Sequence, residues 1–263
     1  MKNLLIIALI ATFFCCGCSS RYYAPAIYND DISYQPKPGS FDSVKSKTYV
    51  SLGEAFHDGV DDNNSTNFFE LNISRGHVFK NTNLSYGAFG FAGSIDNINH
   101  KNELTDPNSF DTKSFAGIGG RASFNMYKVI DRVNFRYIGV EAAYSKEFGD
   151  YAAYRRLVQN VPDYYATTRT EMVTAGLTSE VLWHNMRSTD NQNSLRLFVG
   201  KSIGNYSYLN PGSDDLLLGA KNAFPFYMTV SYFKQINHFF GVAEVLRTEH
   251  LAPGLRIKFG YGF

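Results

Sequence analysis

The chain ends in Leu255-Arg256-Ile257-Lys258-Phe259-Gly260-Tyr261-Gly262-Phe263, and this stretch decides the fold class. Its odd-numbered positions are all apolar or aromatic, whereas its even-numbered positions are basic or glycine. Because the side chains of a β-strand point alternately to opposite faces, the stretch predicts a strand with one apolar and one polar face. A half-buried strand of a water-soluble sheet shows this pattern, and so does a strand of a transmembrane barrel.

Alternation of period two recurs through the chain from residue 47 onward, and no segment shows convincing helical periodicity. We expect strands near 47–56, 67–79, 84–94, 114–128, 134–148, 169–185, 194–206, 224–235, 239–248 and 254–263. Several exceed the roughly 9–11 residues with which a tilted strand crosses a membrane. The sequence therefore predicts an all-β protein of ten strands. Eight or twelve strands are the alternatives, if two segments are loops or if the long loops contain strands.

The lengths of the connections favour the transmembrane alternative. The connections at 80–83, 130–133, 186–193 and 236–238 are short, whereas those at 95–113, 149–168 and 207–223 are long. On the same side as the long ones, the connection at 57–66 is of intermediate length and only the last, at 249–253, is short. Bacterial transmembrane barrels have short periplasmic turns and long outer loops, and a soluble barrel has no reason to sort its loops in this way. We therefore predict a closed antiparallel transmembrane β-barrel over residues 47–263.

The end of the chain also resembles a known assembly signal. A C-terminal phenylalanine preceded by alternating apolar residues is similar to the recognition signal of outer-membrane β-barrels, here with Phe259, Tyr261 and Phe263. The resemblance implies a barrel in the outer membrane of a Gram-negative bacterium. A soluble domain would gain little from a bare aromatic end, since termini normally fray in water.

The N-terminus predicts export. After Lys2, residues 4–14 form a run that is apolar except for Thr12. The run is too short to span a bilayer as a helix but matches the core of a signal peptide. Cys15-Cys16-Gly17-Cys18 follows, and it resembles the lipoprotein box of Bacteroidota-type lipoproteins. The resemblance implies a signal peptide over residues 1–17 and a mature chain that begins at Cys18, acylated with a lipid such as palmitate. An ordinary signal peptide with incidental cysteines is the alternative.

Residues 18–46 are predicted to be an extended, lipidated tether between the membrane and the barrel. Pro25, Pro36 and Pro38 exclude both a regular helix and a ladder strand. Four tyrosines indicate that the segment packs on something, its own barrel included. A lipid anchor and the C-terminal signal are both expected on the periplasmic side, which requires an even number of strands, and ten satisfies this.

The alternation also assigns charged side chains to the barrel interior. They are Glu70, Arg121, Glu141, Glu180, Arg196, Arg256 and Lys258. These three acids and four bases nearly cancel. A ten-stranded barrel is little wider than an eight-stranded one, whose side chains fill it. We expect a lumen charge network of salt bridges, with a narrow channel or proton path as the alternative.

Composition and motifs exclude several classes of function. The chain has 25 Lys and Arg against 24 Asp and Glu, so there is no basic excess with which to bind nucleic acid. The six histidines fall into none of the catalytic patterns of outer-membrane enzymes, and no metal-binding spacing or phosphate loop is present. We expect no enzymatic activity, no catalytic residues, no metal and no cofactor.

The long connection at 149–168 carries a candidate binding site for a protein partner. Tyr154, Arg155 and Arg156 lie at its centre, and tyrosine and arginine are enriched at protein interfaces. The alternative for tyrosines near strand ends is the aromatic girdle at the membrane surface. Three functional hypotheses follow: an accessory barrel that binds outer-membrane lipids and partner proteins in an outer-membrane complex, a small channel or transporter, and a lipid-modifying enzyme. The first is the main prediction.

Overall fold

The computed structural model describes residues 21–40, 44–58, 64–97, 109–161, 164–185, 188–203, 227–248 and 253–263. Ten strands of this part of the chain form one closed barrel in which all neighbours are antiparallel. They are β2 (Ser46–Asp58), β3 (Asn64–Val78), β4 (Thr82–Asn97), β5 (Thr112–Ile130), β6 (Val133–Phe148), β8 (Glu171–Asn185), β9 (Ser188–Ile203), β10 (Tyr227–Ile236), β11 (Phe239–Thr248) and β12 (Gly254–Gly262). The predicted ten-stranded antiparallel barrel is confirmed.

The outer face of the barrel is apolar on every strand. In β12, Leu255, Ile257 and Phe259 are exposed, whereas Arg256 and Lys258 between them are buried. The other nine strands each expose a large apolar or aromatic side chain: Leu52, Leu71, Tyr86, Ile118, Val140, Leu177, Leu195, Val230 and Val245. Exposure of such a continuous apolar band to water would be unfavourable, whereas the hydrocarbon core of a membrane covers it. The barrel is therefore of the transmembrane, outer-membrane type.

The two ends of the barrel differ in their connections. At the short-turn end, β5 and β6 are joined by a two-residue turn, as are β10 and β11. Asp131 and Asn237 in these turns adopt φ of 53° and 55°, a left-handed conformation that Asp and Asn tolerate well. The opposite end, which we call the long-loop end, carries the connection between β6 and β8.

The sequence predicted a plain loop for that long connection, and the structure differs from this prediction. The connection contains helix α1 (Asp150–Val158) and strand β7 (Tyr164–Ala166), which pairs in parallel with β1 (Arg21–Tyr23). Gly149 precedes the helix with φ of 118°, a backbone conformation that favours glycine. Within the described ranges, no helix is long and apolar enough to cross a membrane.

The N-terminal segment lies inside the barrel. Residues 23–38, which we call the plug, are buried throughout and pass from the long-loop end to the short-turn end. Over this stretch the predicted tether is therefore packed inside its own barrel, which is the possibility that its tyrosines left open. Its prolines do exclude helix and ladder, as expected. Many of its polar groups, among them the carboxylate of Asp30 and the hydroxyl of Tyr34, bond to the barrel wall instead of to water. The part of the predicted tether before residue 21 lies outside the described residues.

The path of the plug also contradicts the expectation that both ends of the mature chain lie on the periplasmic side. Arg21 lies at the long-loop end, because β1 pairs with β7 there, whereas Phe263 lies at the short-turn end. The two described termini are thus on opposite sides of the membrane, although the number of strands is even. The plug crosses the barrel once more without being a strand of the wall.

Candidate functional site

The lumen and its plug form the candidate site, and Arg121 on β5 makes its densest set of contacts. The guanidinium donates to both carboxylate oxygens of Glu70, at 2.8 and 2.9 Å. It also donates to the hydroxyl of Ser33 and the backbone carbonyl of Asp31 on the plug. Its face lies 3.6 Å from the centre of the Phe89 ring. One buried cation thus joins two wall strands to the plug.

Arg256 and Lys258 on β12 also bind the plug. Arg256 donates to the carboxylate and the backbone carbonyl of Asp30. Lys258 donates to the backbone carbonyl of Tyr34 at 2.9 Å. Both cations also lie 3.4 Å from the carboxylate of Glu244 on β11. Because these donors are fixed on strands, they determine the position of the plug along the lumen.

A third group of ion pairs lies nearer the short-turn end. Arg196 donates to Glu141 at 2.9 Å, and Arg136 donates to Glu180 at 2.6 Å. Lys37 of the plug lies 3.7 Å from the second carboxylate oxygen of Glu141. All five side chains are almost completely buried, so the pairs exist in a poorly hydrated space where an unpaired charge would be costly.

Tyr34 is the central residue of the plug. Its hydroxyl donates to Glu180 at 2.6 Å and lies 2.9 Å from the hydroxyl of Ser194. Its backbone N–H donates to Glu244 at 2.9 Å, and its ring stacks on Phe233 with centroids 5.1 Å apart. The same side chain therefore fills space and satisfies buried polar groups.

The charges of the lumen balance within the described chain. Its buried acids are Asp30, Asp31, Glu70, Glu141, Glu147, Glu180 and Glu244, and its buried bases are Lys37, Arg121, Arg136, Arg155, Arg196, Arg256 and Lys258. The buried acids and the buried bases are thus equal in number, with seven of each. All seven residues that the sequence assigned to the interior belong to this set, so the structure places the predicted network inside the barrel.

The long-loop end of the lumen is closed by aromatic side chains. Tyr23 of the plug packs against Phe110, Tyr154 and Tyr164, with ring centroids between 5.4 and 6.1 Å apart. Phe110 and Tyr154 are closer still, at 4.7 Å. Burial raises the pKa of Tyr154 far above that of a free tyrosine, so its hydroxyl stays neutral in this cluster.

This packing corrects the predicted binding loop. Tyr154 and Arg155 are buried, and only Arg156 of the three is exposed. Arg155 donates to Glu147 at 2.6 Å and to the backbone carbonyl of Thr167 at 2.7 Å. Because α1 is a helix, successive side chains point in different directions, and two of the three face the lumen. They close the barrel and are not available to a partner outside.

The predicted assembly signal lies at the short-turn end. Phe259 and Phe263 are exposed on the outer wall, at 70% and 68%, and Tyr261 packs on Phe263 with ring centroids 4.9 Å apart. The backbone N–H of Phe263 donates to the carbonyl of Thr48, so the pairing with β2 continues one residue beyond the end of β12. The predicted lipidation site, Cys18, lies outside the described residues. Over the ranges that are described, no group of His, Cys, Asp and Glu could hold a metal ion.

Sequence reasoning missed several lumen residues for identifiable reasons. Arg136 faces inward although it is out of phase with Glu141, because the register of β6 shifts between Arg136 and Gly139. Such a bulge reverses the alternation, and a strict period of two cannot follow it. Glu244 stands among apolar residues on both faces of β11, which hides its direction. Asp30 and Lys37 were missed because the plug has no periodicity at all.

No family model and no curated protein matches the chain. Among solved structures, the chain is similar to the translocator domain of the autotransporter NalP from Neisseria meningitidis, with 7% identity, 85% of this chain and 90% of that chain covered, and a TM-score of 0.39. It is also similar to the transport unit of the autotransporter AIDA-I from Escherichia coli, with 8% identity, coverage of 90% and 95%, and a TM-score of 0.41. For the outer membrane protein OprG from Pseudomonas aeruginosa the identity is 12%, the coverage 83% and 96%, and the TM-score 0.34.

Proposed function

We propose that the protein is a self-plugged outer-membrane barrel lipoprotein, which acts through its surfaces as a structural or accessory subunit of an outer-membrane complex. The observation that carries this proposal is the filling of the lumen by residues 23–38. A barrel whose interior is occupied by its own chain offers no open path to a solute. Its role then lies in its rims, its lipid-facing wall and its lipid anchor, and it includes no enzymatic step.

The contacts of the plug support a sealed state. It is held along its length by side chains from at least six wall strands, among them Glu70, Arg121, Glu180, Glu244 and Arg256. At the short-turn end, Gly76 leaves room for it: a Cβ there would lie 2.8 Å from the ring of Pro38. The fit is therefore close at this end, as in a packed protein interior.

A gated channel is the second candidate, and one observation favours it. The plug forms no ladder with the barrel strands, and below the aromatic cluster much of its attachment consists of hydrogen bonds and ion pairs. Water can replace such contacts one by one, whereas it cannot replace a wall strand. Displacement of the plug would leave a lumen lined with charges of both signs.

Planar-bilayer conductance distinguishes the two candidates. We expect the full mature chain to conduct no ions, and a variant without residues 23–38 to conduct in steady openings. Spontaneous openings of the full mature chain, with the conductance of the variant without residues 23–38, would make the gated channel the function.

A further inference from the structure

We propose that the mature N-terminus emerges on the long-loop side of the barrel, at the cell surface, and that the lipid on Cys18 is therefore held there and not in the periplasmic leaflet. The lipid rests on the proposed function, because acylation of Cys18 is part of that proposal. The direction of threading stands without it, since it follows from contacts of the plug alone.

The first described residues are fixed at the long-loop end. Arg21, Tyr22 and Tyr23 form β1 and pair with Tyr164, Tyr165 and Ala166 of β7, beyond the end of β6. The N–H of Ala26 then donates to Glu147, the penultimate residue of β6. These contacts place the start of the plug at the long-loop rim, beside the connections that follow β4 and β6.

The last residues of the plug are fixed at the opposite end. The side chain of Gln35 accepts a hydrogen bond from Ser85, the fourth residue of β4. The carbonyl of Pro38 accepts one from Arg136, the fourth residue of β6. The chain then begins β2 at Ser46, at the short-turn end. The direction from residue 23 to residue 38 is thus from the long-loop end to the short-turn end.

The length of chain outside the structure limits where Cys18 can lie. Three residue steps separate Cys18 from Arg21, and an extended chain covers at most about 3.6 Å per residue, or about 11 Å in total. The hydrocarbon core of a bilayer is about 30 Å thick. From the rim at which β1 pairs with β7, this length cannot reach the opposite leaflet. Acyl chains on Cys18 would therefore enter the leaflet on the long-loop side.

The sidedness of the barrel then assigns that leaflet to the cell surface. Outer-membrane barrels have their short turns in the periplasm and their long loops outside. Here the turns at 131–132 and 237–238 and the terminal Phe263 share one end, and the connection with α1 lies at the other. The proposed product is a lipoprotein whose anchor has been carried across the membrane inside its own barrel.

Epitope accessibility on intact cells tests the threading. A short epitope is inserted between Ser20 and Arg21, with one control insertion between Gln159 and Asn160 at the long-loop end and one between Asp131 and Arg132 at the short-turn end. We expect antibody to bind the first two on intact cells, and the third only after the outer membrane is permeabilised. Detection of the first epitope only after permeabilisation would overturn the proposal.

Lipid attachment is measured separately, by metabolic incorporation of an alkyne-tagged palmitate into the wild type and into Cys18→Ala. A surface epitope without the Cys18-dependent tag would refute lipidation and leave the threading intact. A tag with a periplasmic epitope would support lipidation and refute the threading.

As a second measurement of the threading, Tyr22→Cys with Tyr165→Cys should form a disulfide, because paired strands lie about 4.8 Å apart. Failure of this pair to cross-link in folded barrels would also count against threading.

Discussion

The two ends of the plug are held by different kinds of contact. At the long-loop end, Tyr23 lies in a cluster of rings with Phe110, Tyr154 and Tyr164. From Asp30 onward, the plug is held mainly by hydrogen bonds and ion pairs to the wall. One half of the plug is thus fixed by burial of apolar surface and the other by directional polar bonds.

This difference separates stability from position. Apolar burial has no preferred direction, so a ring cluster tolerates small shifts and changes of shape. Buried ion pairs tolerate neither, because a charge without its partner in a dry interior is strongly unfavourable. We infer that the rings contribute to closing the lumen, whereas the ion pairs fix the register of the plug against the wall. The predictions below test this division.

The largest effect is expected for Arg121→Ala. The change leaves the carboxylate of Glu70 buried without the partner to which it is bound by two hydrogen bonds. Removal of one member of a buried pair costs about 3–5 kcal/mol. Urea unfolding of the barrel in lipid vesicles should show a loss of this size in the free energy of unfolding.

The matched control for Arg121 is Arg156→Ala, on the exposed face of α1, which should change the free energy of unfolding by at most about 0.5 kcal/mol. Arg155 is unsuitable as a control, although the sequence placed it in an exposed loop, because its guanidinium is paired with Glu147. Equal and negligible losses for Arg121→Ala and Arg156→Ala would show that the lumen is wet.

An intermediate effect is expected for Tyr34→Phe, which removes a single oxygen from the polar half of the plug. Glu180 loses a hydrogen bond of 2.6 Å and Ser194 loses its neighbour, while the stacking on Phe233 is kept. A hydrogen bond to a charged group contributes about 1.5–3 kcal/mol. Unfolding in vesicles should report this loss. A stability equal to that of the wild type would mean that water replaces the hydroxyl.

Among the three destabilising variants, Arg121→Ala, Tyr34→Phe and Phe110→Leu, the smallest effect is expected for Phe110→Leu in the aromatic cluster. The substitution removes ring contacts with Tyr23 and Tyr154 but leaves no polar group unpaired. Apolar substitutions of similar volume usually cost less than about 1.5 kcal/mol. If this change lowered the free energy of unfolding more than Tyr34→Phe does, the ring cluster and not the polar half would be the stricter determinant of the plug.

The wall of the barrel could be predicted from the sequence because alternation is a local signal. Each strand reports its own two faces, so Arg256 and Lys258 could be assigned to the interior from nine residues of chain. The connection lengths then gave the sidedness. Where the alternation is broken, as between Arg136 and Gly139, the prediction of the inward face fails as well.

The plug could not be predicted because its position depends on the whole barrel. Three prolines and the absence of periodicity exclude regular structure, but an unpaired segment in water and one inside a lumen have the same local sequence signature. Asp30 and Lys37 find their partners on strands more than 100 residues away. The helix α1 was missed for a related reason: its burial of Tyr154 and Arg155 depends on the segment that enters beside it.

The seam between β12 and β2 has a consequence for how the molecule is made. These strands are the last and the first of the wall, and their pairing from Leu255 to Gly262 completes the barrel. The buried ion pairs leave a finished cylinder little room for a free chain end to enter. We therefore expect the plug to be in place while the seam is still open. The pairing of β12 with β2 is then the step that encloses the plug. Synthesis produces the plug first, the first wall strand next and the last strand at the end, and this is also the order of assembly that the enclosure requires.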